Sequence, residues 1–283
     1  MEPVFLVIDG YKRAGREELA AGGASSAGDL YQRMLRECHP GCRVDIIHPA
    51  DAGTSLPEAA ALMDYHGIAW TGSSLTIFHD EPAVTNQIKL MQDIFAAGIP
   101  SFGSCWAVQI GVAAAGGRCA SNPRGREMGI ARKISLTPAG RAHPMYTGKP
   151  GVFDAFISHD DEVTHLAPGV VSLAGNAFTS VQATTIDHGP GTMWSVQYHP
   201  EYDLHELARL IYCRIDKLKA LGFFQDRAAG EAYVNHLEAL YQNPERKDLA
   251  WKLGIDADVM NPDVRQLEVR NWIKRLVLPN MRS

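Results

Sequence analysis

The sequence predicts an α/β fold of three layers, in which helices flank a mostly parallel central sheet. The run at residues 4–9, which is apolar up to Ile8, is typical of a strand that is buried on both faces. Helical segments alternate with such strands up to residue 115, which favours parallel pairing. From Gly129 to Gln182, short strands follow one another with Gly and Pro between them. This change of pattern predicts a small antiparallel layer beside the main sheet.

The elements can be placed in order along the chain. We expect strands at 4–9, 43–47, 67–70 and 99–103, with helices at 29–37, 56–65, 82–97 and 107–115. Residues 10–28 are rich in Gly, Ala and charge, and we expect a surface loop there, which is either a plain disordered loop or a lid near the site. The later strands are predicted at 131–136, 152–158, 170–174, 180–185 and 193–198. An amphipathic helix follows, because apolar residues recur at steps of three and four from Leu204 to Leu218.

Composition excludes several classes of function. The 283 residues include 46% hydrophobic and 21% charged residues, which is ordinary for a globular chain. The net charge is -5 with no basic stripe, so we expect no nucleic-acid partner. No apolar run reaches membrane-spanning length, and we expect no membrane association. Five cysteines, an odd number, favour a reducing cytoplasm over a disulfide framework.

A candidate nucleophile lies where the strand at 99–103 turns into the next helix. Cys105 follows Ser104 at this turn, and the helix N-terminus favours a thiolate there. A strand-to-helix turn holds such a side chain out above the sheet edge, beside backbone N–H groups. The alternative is a packed core cysteine, which is common for a lone Cys in an apolar setting.

A candidate base and its partner end a later strand. His199 and Glu201 follow the apolar run at 193–198, and a carboxylate two residues on can orient the imidazole. A cysteine followed by His-x-Glu forms a nucleophile, base and orienter in a defined chain order. Alone, His199 is equally consistent with a structural histidine, but the pairing favours catalysis.

Four segments together resemble the glutaminase domains of class I glutamine amidotransferases, that of GMP synthetase most nearly. They are Gly-Ser-Cys-Trp-Ala-Val-Gln at 103–109, Gln-Tyr-His-Pro-Glu at 197–201, Ile-Ser-His-Asp-Asp-Glu-Val at 157–163, and Trp-Thr-Gly-Ser-Ser at 70–74. The likeness covers about residues 4–215, and four matches in the family's order are far more specific than one. It implies a flavodoxin-like arrangement of the sheet and no cofactor.

The resemblance also implies roles. Cys105 would attack a γ-carboxamide carbon and form a γ-glutamyl thioester, with His199 moving protons and Glu201 holding the imidazole. The backbone N–H groups of Ser73 and Trp106 match the family's oxyanion donors, and Gly72 is an adjacent alternative. The amino-acid head of the substrate would lie among Gln109, Ser158, His159, Asp160 and Asp161. A metal site is not expected, because adjacent side chains at 159–161 point opposite ways in an extended segment.

Three departures from the family pattern bear on the substrate. Ala107 stands where the family usually has a Gly, two residues after the nucleophile, and Ala is small enough to keep the close helix–strand approach. Asp160 replaces a Gly and brings a side chain toward the head-group site. The turn at 71–74 lacks the family's Gly-Gly-Pro.

We expect residues 1–221 to form the catalytic domain and residues 222–283 a helical C-terminal extension, with helices at 228–241, 245–253 and 262–278. The extension would be a cover on the main domain or a dimer or partner surface. The expected activity is a glutaminase that supplies ammonia to a separate synthetase. The alternatives are a stand-alone γ-glutamyl amide hydrolase of a catabolic pathway and a non-catalytic regulatory relative. A synthetase partner or a homo-oligomer is compatible with all of them.

Overall fold

The computed structural model describes residues 2–281. Within them the strands are β1 (Val4–Ile8), β2 (Arg43–Ile47), β3 (Gly67–Trp70), β4 (Ser101–Ser104), β5 (Arg118–Ser121), β6 (Glu127–Leu136), β7 (Val152–His159), β8 (Asp161–His165), β9 (Val170–Gly175), β10 (Ala183–His188) and β11 (Gly191–Val196). The main sheet has the order β2-β1-β3-β4-β11-β10-β9-β6-β7, and β5 pairs with β8 in a second sheet.

The strands from β2 to β11 in that order are parallel, and those from β11 to β7 are antiparallel. The predicted α/β fold, with its parallel centre and antiparallel layer, is therefore confirmed. Because β3, β4 and β11 are adjacent and parallel, their carboxyl ends meet at one edge of the sheet. Sites of open α/β sheets lie at this edge.

The helices are α1 (Arg13–Ala21), α2 (Ala27–Cys38), α3 (Ala59–Leu62), α4 (Pro82–Ala97), α5 (Trp106–Ala114), α6 (Pro138–Ala142), α7 (Leu204–Cys213), α8 (Ile215–Ala220), α9 (Arg227–Gln242), α10 (Lys247–Leu253), α11 (Ala257–Met260), α12 (Pro262–Arg265), α13 (Leu267–Trp272) and α14 (Leu278–Asn280). A 3₁₀ turn covers Pro144–Tyr146 and a π-helical turn covers Ile273–Val277.

Successive side chains of β1 enter different cores, because neighbours on a strand point to opposite faces. Leu6 and Ile8 lie in the core beneath α4 and α5. Phe5 and Val7 lie in the core on the other face. This alternation places helices on both sides of the sheet and gives the three layers.

Residues 10–28 differ from the expected loop. They form α1 and the start of α2, whose N-cap is Ser26, with its hydroxyl accepting from the N–H of Asp29 at 3.1 Å. Leu19 of α1 is buried in the core that α7 and α9 share. The Gly- and Ala-rich composition concealed this helix, because its stability comes from tertiary packing rather than from propensity.

Other boundaries also differ from expectation. The helix predicted at 56–65 is reduced to α3, and the one predicted at 262–278 is divided into α12, α13, the π-helical turn and α14. The β5–β8 pair was not predicted. Its strands are short and partly exposed, so they lack the apolar runs that mark buried strands.

The C-terminal helices enter the main core. The ring of Trp272 is fully buried and lies 5.4 Å from Phe5 and 5.9 Å from Phe102, measured between ring centroids. Nearby, Glu268 accepts a hydrogen bond from the Tyr198 hydroxyl at 2.5 Å. The Lys149 ammonium, whose side chain is 2% exposed, forms a salt bridge with Glu268 at 3.1 Å. Residues 267–272 are therefore tied to the segment that precedes His199.

We predict that E268Q destabilises the protein by about 3–5 kcal/mol, because Lys149 would remain charged and buried without its carboxylate. The double variant K149M/E268Q should recover part of that loss, since no buried charge is left unpaired. Urea unfolding of both variants measures this. D93N, which removes an exposed pair with Lys89, serves as the control and should change the unfolding free energy by less than about 1 kcal/mol. Equal stability of E268Q and the parent would contradict the prediction.

Candidate active site

Cys105 occupies a strained turn between β4 and α5. Its φ of 53° and ψ of -99° lie outside the regions that residues other than Gly usually adopt. The Cys105 N–H donates to the Val196 carbonyl at 2.8 Å, which ties the turn to the end of β11. Gly103 is required just before it, because an added Cβ would lie 2.6 Å from the Trp70 carbonyl oxygen and against Ala107.

His199 and Glu201 form a buried pair beyond the end of β11. His199 Nδ1–H donates to Glu201 Oε1 at 2.7 Å, which leaves Nε2 as the nitrogen with no hydrogen-bond partner within residues 2–281. The Tyr202 ring stacks on the imidazole with centroids 4.1 Å apart and planes 3° apart. Glu201 Oε1 also accepts from the Ser104 hydroxyl at 3.0 Å. The imidazole is therefore held in one plane and one orientation.

The electrostatics of this pair favour the imidazolium. Burial by itself lowers the pKa of His199, but the Glu201 carboxylate and the Cys105 side chain outweigh it and raise that pKa to about 10. The Cys105 side chain is thus close enough to His199 to raise the pKa of the imidazole. The Cys105 Sγ–H donates a hydrogen bond to the Ser158 carbonyl at 3.5 Å. An added Cβ on Gly72 would lie 3.1 Å from His199 Cε1 and 3.6 Å from Cys105 Cβ. Cys105, His199 and Gly72 are thus brought together.

The turn at 71–74 lies beside Cys105, and the Thr71 hydroxyl fixes its backbone. The Thr71 hydroxyl donates to the Gly72 carbonyl at 2.8 Å and accepts from the Gly10 N–H at 3.0 Å. Because a trans peptide points its C=O and N–H in opposite directions, this bond turns the Ser73 N–H away from Thr71. The Trp106 N–H, the first of α5, has no carbonyl within its helix to bond. Ser73 and Trp106 both line the cavity that contains Cys105.

That cavity has a volume of about 340 Å³. It brings together the residues that the sequence assigned to the substrate's head group, namely Gln109, Ser158, His159, Asp160 and Asp161. Gln109 Oε1 is buried without a partner within the described residues. It is thus free to accept a hydrogen bond from a ligand.

The segment at 158–161 is held by its own contacts. Both ring nitrogens of His159 face protein acceptors, the Asp161 carbonyl at 2.8 Å and the Glu127 carboxylate at 3.0 Å. Asp160 forms salt bridges with Arg126 and Lys217, which hold the pKa of its carboxyl below the ordinary value against the effect of burial. Burial raises the pKa of Asp161. The extra carboxylate at 160 is therefore already neutralised by cations of the chain.

Several cavity residues were missed from the sequence: Tyr11, Arg126, Tyr202, Arg214 and Lys217. Tyr202 follows the His-Pro-Glu segment directly and could have been suspected from that position. The two arginines belong to segments without a motif. Only the fold brings them to the cavity.

A family model described as glutamine amidotransferase class-I matches residues 27–212. The chain belongs to this family. It is 32% identical to a γ-glutamyl-L-1-hydroxyisopropylamide hydrolase of a Pseudomonas species, over 97% of this chain and 93% of that protein. It is 29% identical to the GMP synthase of Thermomicrobium roseum, over 62% of this chain but only 30% of the synthase. The predicted family membership is thereby confirmed.

Solved structures show the same fold. A glutamine amidotransferase from Thermotoga maritima superposes with a TM-score of 0.67 at 16% identity, covering 98% of this chain and 99% of the other. The family and the hydrolase relative confirm the prediction of an amide hydrolase that acts on glutamine or a related γ-glutamyl compound. Among residues 2–281, no helix is long and apolar enough to cross a membrane, and no group of three metal-binding side chains is found.

We predict that a diazoketone analogue of glutamine labels Cys105 and spares the other cysteines, Cys38, Cys42, Cys119 and Cys213. Among these thiols, Cys105 alone lies beside His199, and burial raises the pKa of Cys38 and Cys119 to about 12. Peptide mass spectrometry measures the adduct. Label on another cysteine, or an active C105A protein, would refute the assignment.

We also predict a pH effect of E201Q. The leaving nitrogen can no longer receive a proton once His199 has released its own, so the alkaline limb of kcat/KM in the parent enzyme should lie near pH 10, the pKa of His199. Glutamine at 201 removes the charge that raises the pKa of His199, and the limb should move down by about 1–3 pH units. The rate at the optimum should fall by about 10- to 1000-fold. An alkaline limb that does not move would show that Glu201 does not control the imidazole.

Proposed function

We propose that the chain is a stand-alone hydrolase of N-substituted γ-glutamyl amides. The observation that carries the proposal is the extent of the likeness to the Pseudomonas hydrolase, which includes the C-terminal helices as well as the motifs. The match to the GMP synthase of T. roseum, in contrast, covers 62% of the chain. In this proposal residues 222–283 complete the hydrolase, as the contact of Glu268 with Tyr198 suggests.

The proposed reaction begins with attack of the Cys105 thiolate on the γ-carbonyl carbon. The N–H groups of Ser73 and Trp106, or of Gly72, stabilise the oxyanion. The His199 imidazolium then gives its proton to the nitrogen, and the free amine leaves. Neutral His199 next removes a proton from water, which attacks the thioester and releases glutamate. Glu201 keeps Nδ1 protonated throughout.

The cavity supports this assignment of substrate. At about 340 Å³ it lies at the lower end of the range for ligand pockets, roughly 300–1,000 Å³. In the proposal, Gln109 accepts from the α-ammonium group, and Ser158, Asp160 and Asp161 surround the amino-acid head. His159 holds the segment, because both of its ring nitrogens are already bonded within the protein.

The second candidate is the ammonia-donating glutaminase of a separate synthetase, which the GMP synthase relatives favour. The presence of Cys105, His199 and Glu201 in one geometry opposes a purely regulatory role.

Five free cysteines favour a reducing compartment, and we propose the cytoplasm. We propose that no synthetase partner is required.

The test compares kcat/KM of the purified chain on glutamine, γ-glutamyl ethylamide and γ-glutamyl anilide. We expect turnover without any partner and a higher kcat/KM for an N-substituted amide than for glutamine. C105A provides the control for contaminating activity. If the chain alone shows negligible rates on every substrate, and addition of a synthetase restores them, the ammonia-donor function would replace the proposal.

A further inference from the structure

Arg214 is a partly buried cation in the wall of the cavity, and it lacks an acidic partner. It lies between α7 and α8 and donates to the Ser158 hydroxyl at 3.2 Å and to the Tyr11 hydroxyl at 3.5 Å. Within residues 2–281 its guanidinium forms no salt bridge with a carboxylate. Four acids line the cavity, namely Glu18, Asp160, Asp161 and Asp216, and none of them forms a salt bridge with Arg214. Glu18 acts on Arg214 only through its charge, which contributes to raising the pKa of the guanidinium.

Arg126 approaches the same hydroxyl from the other side. Its Nη2 donates to Ser158 Oγ at 2.7 Å, and Nη1 binds Asp160. The side chain is only 6% exposed, and Nε is buried without a hydrogen-bond partner among the described residues. Two guanidinium groups therefore converge on one neutral oxygen beside the nucleophile, since the carbonyl of Ser158 accepts from Cys105.

This arrangement is incomplete as a polar network. Buried charges are normally paired, and a hydroxyl is a weak acceptor for two guanidinium groups. Arg126 and Lys217 share the carboxylate of Asp160, whereas Arg214 has no salt bridge within residues 2–281. A ligand carboxylate could accept from both arginines in the fork geometry that guanidinium groups favour.

We propose that Arg214 and Arg126 form a carboxylate subsite that anchors the substrate, with Asp160 holding Arg126 in position. The proposal rests on the proposed γ-glutamyl chemistry for its substrate. The occupant is a carboxylate of that substrate. We assign it to the α-carboxylate of the glutamyl group, because the proposed function places the amino-acid head at residues 158–161. This subsite also explains the family departure at 160, because a Gly there could not hold Arg126.

The first experiment measures kcat/KM on glutamine and on its α-carboxamide analogue, for the parent enzyme and for R214Q. R214Q should lower kcat/KM on glutamine by about 100-fold, because the substrate carboxylate would lose a buried charged partner. It should leave the already low rate on the α-carboxamide nearly unchanged. R214K, which keeps the charge, should restore part of the loss. R246Q alters an exposed arginine paired with Asp248 and should behave as the parent.

The source of the carboxylate is resolved by γ-glutamyl-β-alanine, which carries a second carboxylate on the leaving amine. If R214Q impairs only this substrate and the parent tolerates the α-carboxamide, the subsite serves the leaving group. The proposal is overturned if R214Q lowers kcat/KM equally on every substrate. It is also overturned if R214Q still prefers glutamine over the α-carboxamide as strongly as the parent enzyme does.

A second experiment needs no turnover, so it separates this proposal from the proposed function. Iodoacetamide alkylation of Cys105 should be slowed by glutamate in the parent enzyme and much less in R214Q. Isoglutamine, whose α-carboxylate is an amide, should protect neither protein. Equal protection of both proteins by glutamate would overturn the α-carboxylate assignment, even if N-substituted amides prove to be good substrates.

Discussion

The strained backbone of Cys105 is the constraint on which the rest of the site depends. A φ of 53° at a residue other than Gly persists only where its surroundings fix it. Here the Val196 carbonyl holds the Cys105 N–H, and Gly103 lets β4 pass close to Trp70. Gly72 in turn leaves room for His199. The strain is thus balanced by three neighbouring strand ends, and the same strand ends carry the residues that we propose as nucleophile, oxyanion donors and base.

The sequence predicted those parts of the site that local pattern determines. Cys105, His199 and Glu201 each follow an apolar strand, and parallel strands bring their carboxyl ends to one edge. Arg126 and Arg214 could not be found in this way, because each is one of many arginines and no spacing rule links residue 126 to residue 214. The helix α1 was missed for a related reason. Its stability depends on a tertiary contact, the packing of Leu19 in the core that α7 and α9 share.

The C-terminal helices are more than an outer layer. Trp272 fills the core against Phe5 and Phe102, and Glu268 bonds to Tyr198, whose chain neighbour is His199. The boundary expected near residue 221 therefore separates two stretches of sequence that share one core. Periodicity can identify such helices but cannot say which face of a sheet receives them.

The packing of Trp272 on Phe5 has a consequence for biosynthesis. Proteins generally begin to fold from the N-terminus while translation continues. A nascent chain of this enzyme has made Cys105 and His199 long before it makes residues 268 and 272. Until then Phe5 lacks the Trp272 ring, although α2 packs on the same face of β1, and the hydroxyl of Tyr198 lacks the carboxylate of Glu268. Cys105 and His199 are thus synthesised before the core beneath them is complete, so we expect the site to reach its final geometry only after the C-terminal helices have been made.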